Sequence, residues 1–177
     1  MGLGFELAES FSGSYYRLDE PFRDHGMRIS LRLGVNGMRR FLRERTVEAK
    51  GVIFAERLAE REKEGVPLEG TLTMKLFDEK RIPYDLSFEG DDGCRYRLRG
   101  QRDFFMHDAM DSLTILPASL YLVSASPAQR RGVAASEVVG TETGRAMLRF
   151  DPKTDLGALV KSFRPRLRLS RLARALD

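Results

Sequence analysis

Apolar and polar residues alternate with a period of two along much of this 177-residue chain, and this pattern limits the fold more than any other feature. Every second residue from Met27 to Val35 is apolar, and the segments 68–76, 82–88 and 94–98 repeat the pattern. Such alternation is typical of antiparallel strands with one face in the core and one in water. We therefore predict an all-β, mainly antiparallel fold, either a barrel or a sandwich of seven to nine strands. Further strands are expected around 5–11, 47–58, 113–123, 144–150 and 166–169.

Helical signals are few and short. Asn36 is a suitable N-cap for a helix over 36–43, and Thr154 or Asp155 for a second helix that ends at 163. A third short helix is expected over 171–176, and a helical turn over 108–112. The length suits one domain, so we predict a single antiparallel β domain over 1–163. An Arg-rich extension over 164–177 would follow it.

The best-specified hairpin surrounds the acidic stretch Glu-Gly-Asp-Asp-Gly at 89–93. A three-residue turn at 91–93, with Gly93 in the left-handed region, pairs Phe88 with Tyr96 and places Tyr84 over Gly100. A calcium loop needs about six to eight oxygen ligands, and no second acidic cluster lies nearby in the sequence. We interpret the acidic stretch as a turn and predict no metal site.

Aromatic residues of these strands are expected to line the interior. The candidate ligand-binding residues are Phe11, Phe54, Tyr84, Phe88 and Tyr96. An eight-stranded barrel either is filled by its own side chains or holds one small apolar ligand. The sequence leaves both alternatives open: a filled core, or a pocket for a small apolar molecule or lipid.

Several segments resemble the accessory β-domain of bacterial sterol-oxidase-like proteins, which are glucose-methanol-choline oxidoreductases. The residues that carry the resemblance are Glu9-Ser10-Phe11-Ser12-Gly13, Tyr84 to Phe88, Asp92-Gly93 and Tyr96 to Gly100. The resemblance spans roughly residues 4–163 and implies an all-β module associated with lipid or sterol metabolism. The chain has no strand-GxGxxG-helix unit, so neither FAD nor redox chemistry follows from it, and no cofactor is predicted.

Residues that could support catalysis are sparse. His107 stands near Asp108 and Asp111, so a small enzyme that uses His107 as a general base is one alternative. His25 is expected in a turn at 24–26. Cys94 is the only cysteine and is expected to point inward as a small apolar residue. Two histidines and one cysteine far apart in sequence do not make a zinc site.

Arginines dominate the positive charge, which exceeds the negative charge by 4. One strand face is expected to carry Arg95, Arg97, Arg99 and Arg102. Arg164, Arg166 and Arg168 alternate in the same way and are the candidate anion-binding residues. In the first set the aromatic residues fall on the opposite face, which argues against a single-stranded nucleic-acid platform.

The leading functional hypothesis is a non-enzymatic binding or accessory module that holds an apolar small molecule or contacts a partner protein. The alternatives are the His107 enzyme and a scaffold that contacts an anionic surface through its Arg-rich strands. The lack of a signal-peptide pattern, of any apolar stretch approaching 18 residues and of cysteine pairs predicts a cytoplasmic protein.

Overall fold

Eight antiparallel strands close into a barrel because the first strand pairs with both the second and the eighth. The computed structural model describes residues 2–35, 38–75, 79–103, 114–124, 140–150 and 164–168. Its elements are β1 (Gly2–Arg17), β2 (Glu20–Val35), α1 (Met38–Glu44), β3 (Thr46–Ala55), β4 (Val66–Thr73), β5 (Arg81–Glu89), β6 (Arg95–Asp103), β7 (Ile115–Ser124), β8 (Thr141–Phe150) and β9 (Arg164–Arg168). Consecutive strands from β1 to β8 are neighbours, so the barrel has up-and-down topology.

The predicted all-β antiparallel fold is confirmed, and of the two architectures expected it is the barrel. The strands match the alternating segments, but β1 and β2 are longer than the sequence pattern indicated, at 16 residues each. The turn between them lies at Leu18 and Asp19. The prediction that His25 lies in a turn is therefore wrong: His25 is inside β2, opposite Tyr15, and its side chain is buried.

The helical predictions are confirmed only at α1, which begins two residues later than expected. The other predicted helical segments, 108–112, 154–163 and 171–176, lie outside the described part of the chain. The predicted C-terminal extension begins with β9, which pairs with the N-terminal residues of β1 from Gly2 to Glu6. This short strand thus belongs to the same sheet as the barrel.

The two ends of the barrel are closed differently. At one end, here called the helix end, α1 lies next to the strand ends, and Leu7, Phe41 and Phe150 pack against the core. At the other end, here called the loop end, the β3–β4 connection over 56–65 covers the interior and buries Ala59 completely. The β1–β2, β3–β4 and β5–β6 turns all lie at the loop end.

The β5–β6 hairpin has the predicted register. Phe88 pairs with Tyr96, and Tyr84 lies opposite Gly100. Gly93 has φ of 72°, in the left-handed region that a three-residue turn requires. The apolar residues of both strands consequently face the interior, because the register of one pair determines which face of the sheet each other residue occupies.

Candidate functional site

The predicted ligand-binding residues divide into two groups. Phe11, Tyr84, Phe88 and Tyr96 face the interior and are 2%, 2%, 3% and 8% exposed. Phe54 was expected beside them, but this placement is wrong. It lies half-buried on the outer face of β3, where the Arg28 guanidinium is 4.9 Å from its ring centre.

Side chains fill the described interior around the four inward rings. Phe88 stacks on Tyr96 at 5.6 Å between ring centres, and the Phe11 and Tyr84 rings form a T-shaped pair at 5.9 Å. A cavity wide enough for water would leave accessible area on the side chains that line it, yet these side chains have almost none. The filled-core alternative accounts for these residues, and a ligand-binding role for them stays a prediction.

A charged cluster is buried at the helix end of this interior. Arg102 Nη2 donates to Glu9 Oε1 at 2.8 Å, and the Tyr84 hydroxyl donates to Glu9 Oε2 at 2.9 Å. Arg102 also donates to the Tyr84 oxygen. The Arg102 guanidinium lies 5.2 to 5.9 Å from the centres of three aromatic rings, those of Phe11, Tyr84 and Phe150. Arg102 was expected on the outer arginine face, and that prediction is wrong.

Burial and mutual contact shift the protonation equilibria of this cluster. Burial, followed by the nearby Glu9 carboxylate, raises the pKa of Tyr84 well above its usual range. Burial alone would lower the pKa of Arg102, but Tyr84 and Glu9 outweigh it and raise that pKa. The cluster therefore holds a neutral tyrosine and a fixed guanidinium, and Glu9 supplies the charge that opposes Arg102.

The cluster could have been inferred from the alternation. Glu9 occupies an inward position between Leu7 and Phe11. Arg102 is an even number of residues from Leu98 and Gly100, so it lies on the same inward face of β6. A charge of each sign at an inward position indicates a buried pair, because an unpaired buried charge is very costly. Which residues pair depends on barrel closure, which brings β1 across to β5 and β6.

In the barrel wall beside the cluster, the hydrogen-bonded pairing of β6 with β7 stops before either strand ends. Their ladder ends at the pair Gly100 and Ala118, although β6 continues to Asp103 beside β5 and β7 starts at Ile115 beside β8. Pro117 is the first residue of β7 beyond that pair, and it has no backbone N–H to donate across the gap. Gly100 is tightly enclosed, since a Cβ there would lie 2.5 Å from the Pro117 carbonyl oxygen.

A groove of about 820 Å³ runs along the outer wall over this point. Small inward residues form its floor: Gly100, Ala118 and Ala146 are direct neighbours across three strands. Outward side chains line it, among them Tyr16, Pro83, Gln101, Pro117, Tyr121 and Met147. Met147 is 53% exposed. No pattern in the sequence indicates this groove.

Charged residues of both signs lie at or next to the border of the groove. Arg97 and Arg99 contact the Asp85 carboxylate at 2.5 and 3.6 Å. Arg145 Nε and the Ser119 hydroxyl both donate to Glu142 Oε1, at 2.9 and 3.0 Å. Hydrogen bonds from Arg145 and Ser119 lower the pKa of Glu142, which keeps this carboxylate ionised. Acidic residues thus interrupt the predicted outer arginine face, which argues against it as an anion-binding surface.

The acidic turn has a structural use. The Asp91 carboxylate accepts hydrogen bonds from the backbone N–H groups of Glu60 and Arg61, at 2.6 and 3.2 Å. Asp92 Oδ1 accepts from the Cys94 N–H at 2.9 Å, and Asp92 Oδ2 accepts from the Tyr96 hydroxyl at 2.7 Å. Within the described ranges, no group of three His, Cys, Asp or Glu residues could hold a metal ion.

Other candidates are only partly covered by the structure. His107, Asp108 and Asp111 lie outside the described residues. Arg164, Arg166 and Arg168 occupy alternate positions of β9, but their side chains are outside the description, so their anion-binding role stays a prediction. Cys94 is buried, as expected. Of the helices in the described part, none is long and apolar enough to cross a membrane.

Comparison with known proteins gives little. No family model matches the chain, and no curated protein matches it. One similar solved structure is described as "Structure of EF1p2_mFAP2b bound to DFHBI". It shares 12% sequence identity at a TM-score of 0.44, over 82% of this chain and 94% of that chain. At this TM-score, the similarity assigns no ligand to the present protein.

Proposed function

We propose that this protein is a non-enzymatic binding module and that its site is the outer groove over the end of the β6–β7 ladder. The observation that carries the proposal is the groove itself, about 820 Å³ of concave space on a barrel whose described interior is filled. Sites for small molecules usually have about 300–1,000 Å³ and a mainly apolar lining with a few polar groups. The groove has a volume in this range, and its lining combines apolar side chains with several polar and charged ones.

The lining favours a largely apolar ligand without a strong net charge. Pro83, Pro117 and Met147 form an apolar row along the middle, where Gln101 lies between the two prolines and Pro117 faces Met147. Of the bordering arginines, Arg145 pairs with Glu142, and Arg99 lies 3.6 Å from Asp85, which Arg97 also contacts. A ligand would gain from contact with the apolar row and from hydrogen bonds to Gln101, whereas an anionic group would compete with carboxylates already in place.

A non-catalytic role is consistent with the groove residues. Neither His nor Cys is among the described residues that line it, and Ser119 already donates to a carboxylate. The resemblance to the accessory β-domain of sterol-oxidase-like proteins supports the same class of role. It would place the ligand among lipids or sterols, and binding would then serve a partner enzyme.

The test is binding of Nile red, an uncharged apolar dye, by the purified full chain. The wild type should bind saturably, and Met147→Asp should weaken binding about tenfold because a carboxylate would have to be desolvated beside the dye. Leu42→Asp is the matched control, since Leu42 is 68% exposed on α1, far from the groove, and should leave the affinity unchanged. Equal affinity of all three proteins, or no saturable binding by the wild type, would contradict the proposal. Native mass spectrometry of the same samples should show any co-purified molecule lost in Met147→Asp.

A further inference from the structure

The buried cluster at the helix end joins two walls of the barrel that are not neighbours in the sheet. Tyr84 and Arg102 lie diagonally on the inner face of one hairpin, since Tyr84 pairs with Gly100 and Ile82 pairs with Arg102. Glu9 lies on β1, which is next to neither β5 nor β6 in the strand order. The two hydrogen bonds that the Glu9 carboxylate accepts from this hairpin therefore cross the barrel interior and come from side chains.

The hairpin contacts both oxygens of the carboxylate. Arg102 Nη2 donates to Oε1 at 2.8 Å, and the Tyr84 hydroxyl donates to Oε2 at 2.9 Å. Arg102 also donates to the Tyr84 oxygen, so the single proton of that hydroxyl is left to point at the carboxylate. Burial raises the pKa of Tyr84 well above its usual range, which keeps this proton in place at neutral pH. Both donors are thus oriented toward one carboxylate.

The surroundings strengthen these hydrogen bonds. The side chains of Glu9 and Arg102 are only 9% and 6% exposed. The rings of Phe11, Tyr84 and Phe150 lie around the guanidinium. Hydrogen bonds to ionised groups are the stronger ones, and they gain further strength where water does not compete. A buried guanidinium with a phenol beside it can therefore bind a carboxylate whether or not the chain itself carries that carboxylate.

We propose that Tyr84 and Arg102 form a carboxylate-binding site inside the barrel, in which Glu9 is a ligand supplied by the chain itself. The site should take a free carboxylate of matching length when the Glu9 side chain is shortened. Glu9→Ala removes the Cγ methylene and the carboxyl group, which together have the size of acetate. Because the site lies inside the barrel, this inference goes beyond the proposed function and does not depend on a ligand in the outer groove.

Urea denaturation of the full-length Glu9→Ala protein at neutral pH tests the site, with acetate compared against chloride at equal ionic strength. A ligand of this size should bind with a Kd of about 10 mM. At about 100 mM acetate, the ratio of folded to unfolded protein should then rise about tenfold, which raises the urea midpoint. If Glu9→Ala does not fold in chloride, acetate should restore its β-sheet circular dichroism. Absence of any effect of acetate on the variant would overturn the proposal.

Three controls separate binding at the site from a general effect of the anion. Glu9→Leu fills the same space with an apolar side chain, so acetate should leave its urea midpoint unchanged. Glu9→Ala combined with Arg102→Met keeps the space but lacks the guanidinium, and acetate should not stabilise it. The wild type should not respond either, because its attached Glu9 carboxylate has a much higher effective concentration than the added acetate. Stabilisation of these proteins equal to that of Glu9→Ala would contradict the proposal.

Two further compounds define what the site recognises in Glu9→Ala. Acetamide has the shape of acetate without its charge, so at the same concentration it should raise the ratio of folded to unfolded protein less than about twofold. Butyrate carries the charge but is longer than the space, so it should stabilise the variant less than acetate does. If acetamide were as effective as acetate, the variant would be responding to a filled cavity. If butyrate were as effective, the anion would bind elsewhere. Either result would overturn the proposal.

Discussion

The two ends of the barrel are closed by different kinds of interaction. At the loop end, most of the closing contacts are hydrogen bonds to or from backbone groups: the Tyr15 hydroxyl donates to the Glu56 carbonyl at 2.5 Å, and the Asp91 N–H donates to the Leu58 carbonyl at 2.8 Å. At the helix end, the described interior holds a full charge of each sign, on Glu9 and Arg102. The loop end is thus held by many hydrogen bonds, whereas the helix end combines apolar packing with one buried ion pair.

These closures differ in how they should respond to damage. The loop end distributes its polar contacts over a surface that water reaches, so each contact contributes modestly to the free energy of unfolding. The helix end concentrates its polar contacts where water does not reach, so removal of one partner leaves the other buried without a partner. His25 is an exception at the loop end, since its Nε2 is buried and has no hydrogen-bond partner among the described residues.

Glu9→Leu should have the largest effect on stability and tests the helix end. This substitution leaves the Arg102 charge buried without its carboxylate, and it should reduce the free energy of unfolding by about 3–5 kcal/mol. Urea denaturation measures the loss. The double variant Glu9→Leu with Arg102→Met should recover most of it, since apolar residues of similar size often replace a buried pair at little cost. A loss below about 1 kcal/mol in the single variant would mean that the helix end is no more sensitive than the loop end.

A second test concerns high pH at the loop end. Burial raises the pKa of Tyr15 to about 12, so the folded protein favours the neutral phenol. The contribution of the neutral Tyr15 phenol to the free energy of unfolding is complete below the usual tyrosine pKa of about 10. It is lost as the pH rises from there through 12. Tyr15→Phe should therefore lose less stability over that interval than the wild type, by up to about 2 kcal/mol. Urea midpoints between pH 9 and about pH 12 measure the difference, and parallel slopes for the two proteins would contradict it.

Gly93→Val probes the turn that holds the loop end. Valine in the left-handed region should cost about 1–2 kcal/mol, because its Cβ crowds the backbone at φ of 72°. Gly34→Val is the control, since Gly34 lies in β2 and a Cβ added there would have no described atom within 4 Å beyond its chain neighbours. Thermal denaturation should show a lower Tm for the first variant and little change for the second. Equal Tm values would mean that the turn does not limit stability.

The sequence predicted the loop-end hairpin more accurately than the helix-end cluster, and the reason is sequence distance. In the hairpin, Asp92 meets Cys94 and Tyr96, two and four residues away, so turn chemistry and alternation specify the geometry together. In the cluster, Glu9 meets Tyr84 and Arg102 from 75 and 93 residues away. The alternation of residues along each strand shows that these residues face inward, but only closure of the barrel determines which ones meet.

The groove was not predicted for a related reason. Its concavity depends on small inward residues on adjacent strands and on a ladder that ends at Gly100 and Ala118. Neither property belongs to any one segment. Phe54 shows the same limit, since its segment alternates less regularly than the others and the register had to decide its side.

The smallest expected changes in stability are those of substitutions at two acidic residues of the same hairpin. Asp91→Ala removes the carboxylate that accepts hydrogen bonds from the Glu60 and Arg61 N–H groups, and it should lower the free energy of unfolding by about 1 kcal/mol. Glu89→Ala removes only an exposed ion pair with Arg61, at 3.3 Å, and should cost less than about 0.5 kcal/mol. Hydrogen exchange locates the effect: Asp91→Ala should speed exchange across 56–65 and leave α1 unchanged, because the loop end opens without the helix end. Uniform acceleration at both ends would show that the barrel opens as one unit and that its two closures are coupled.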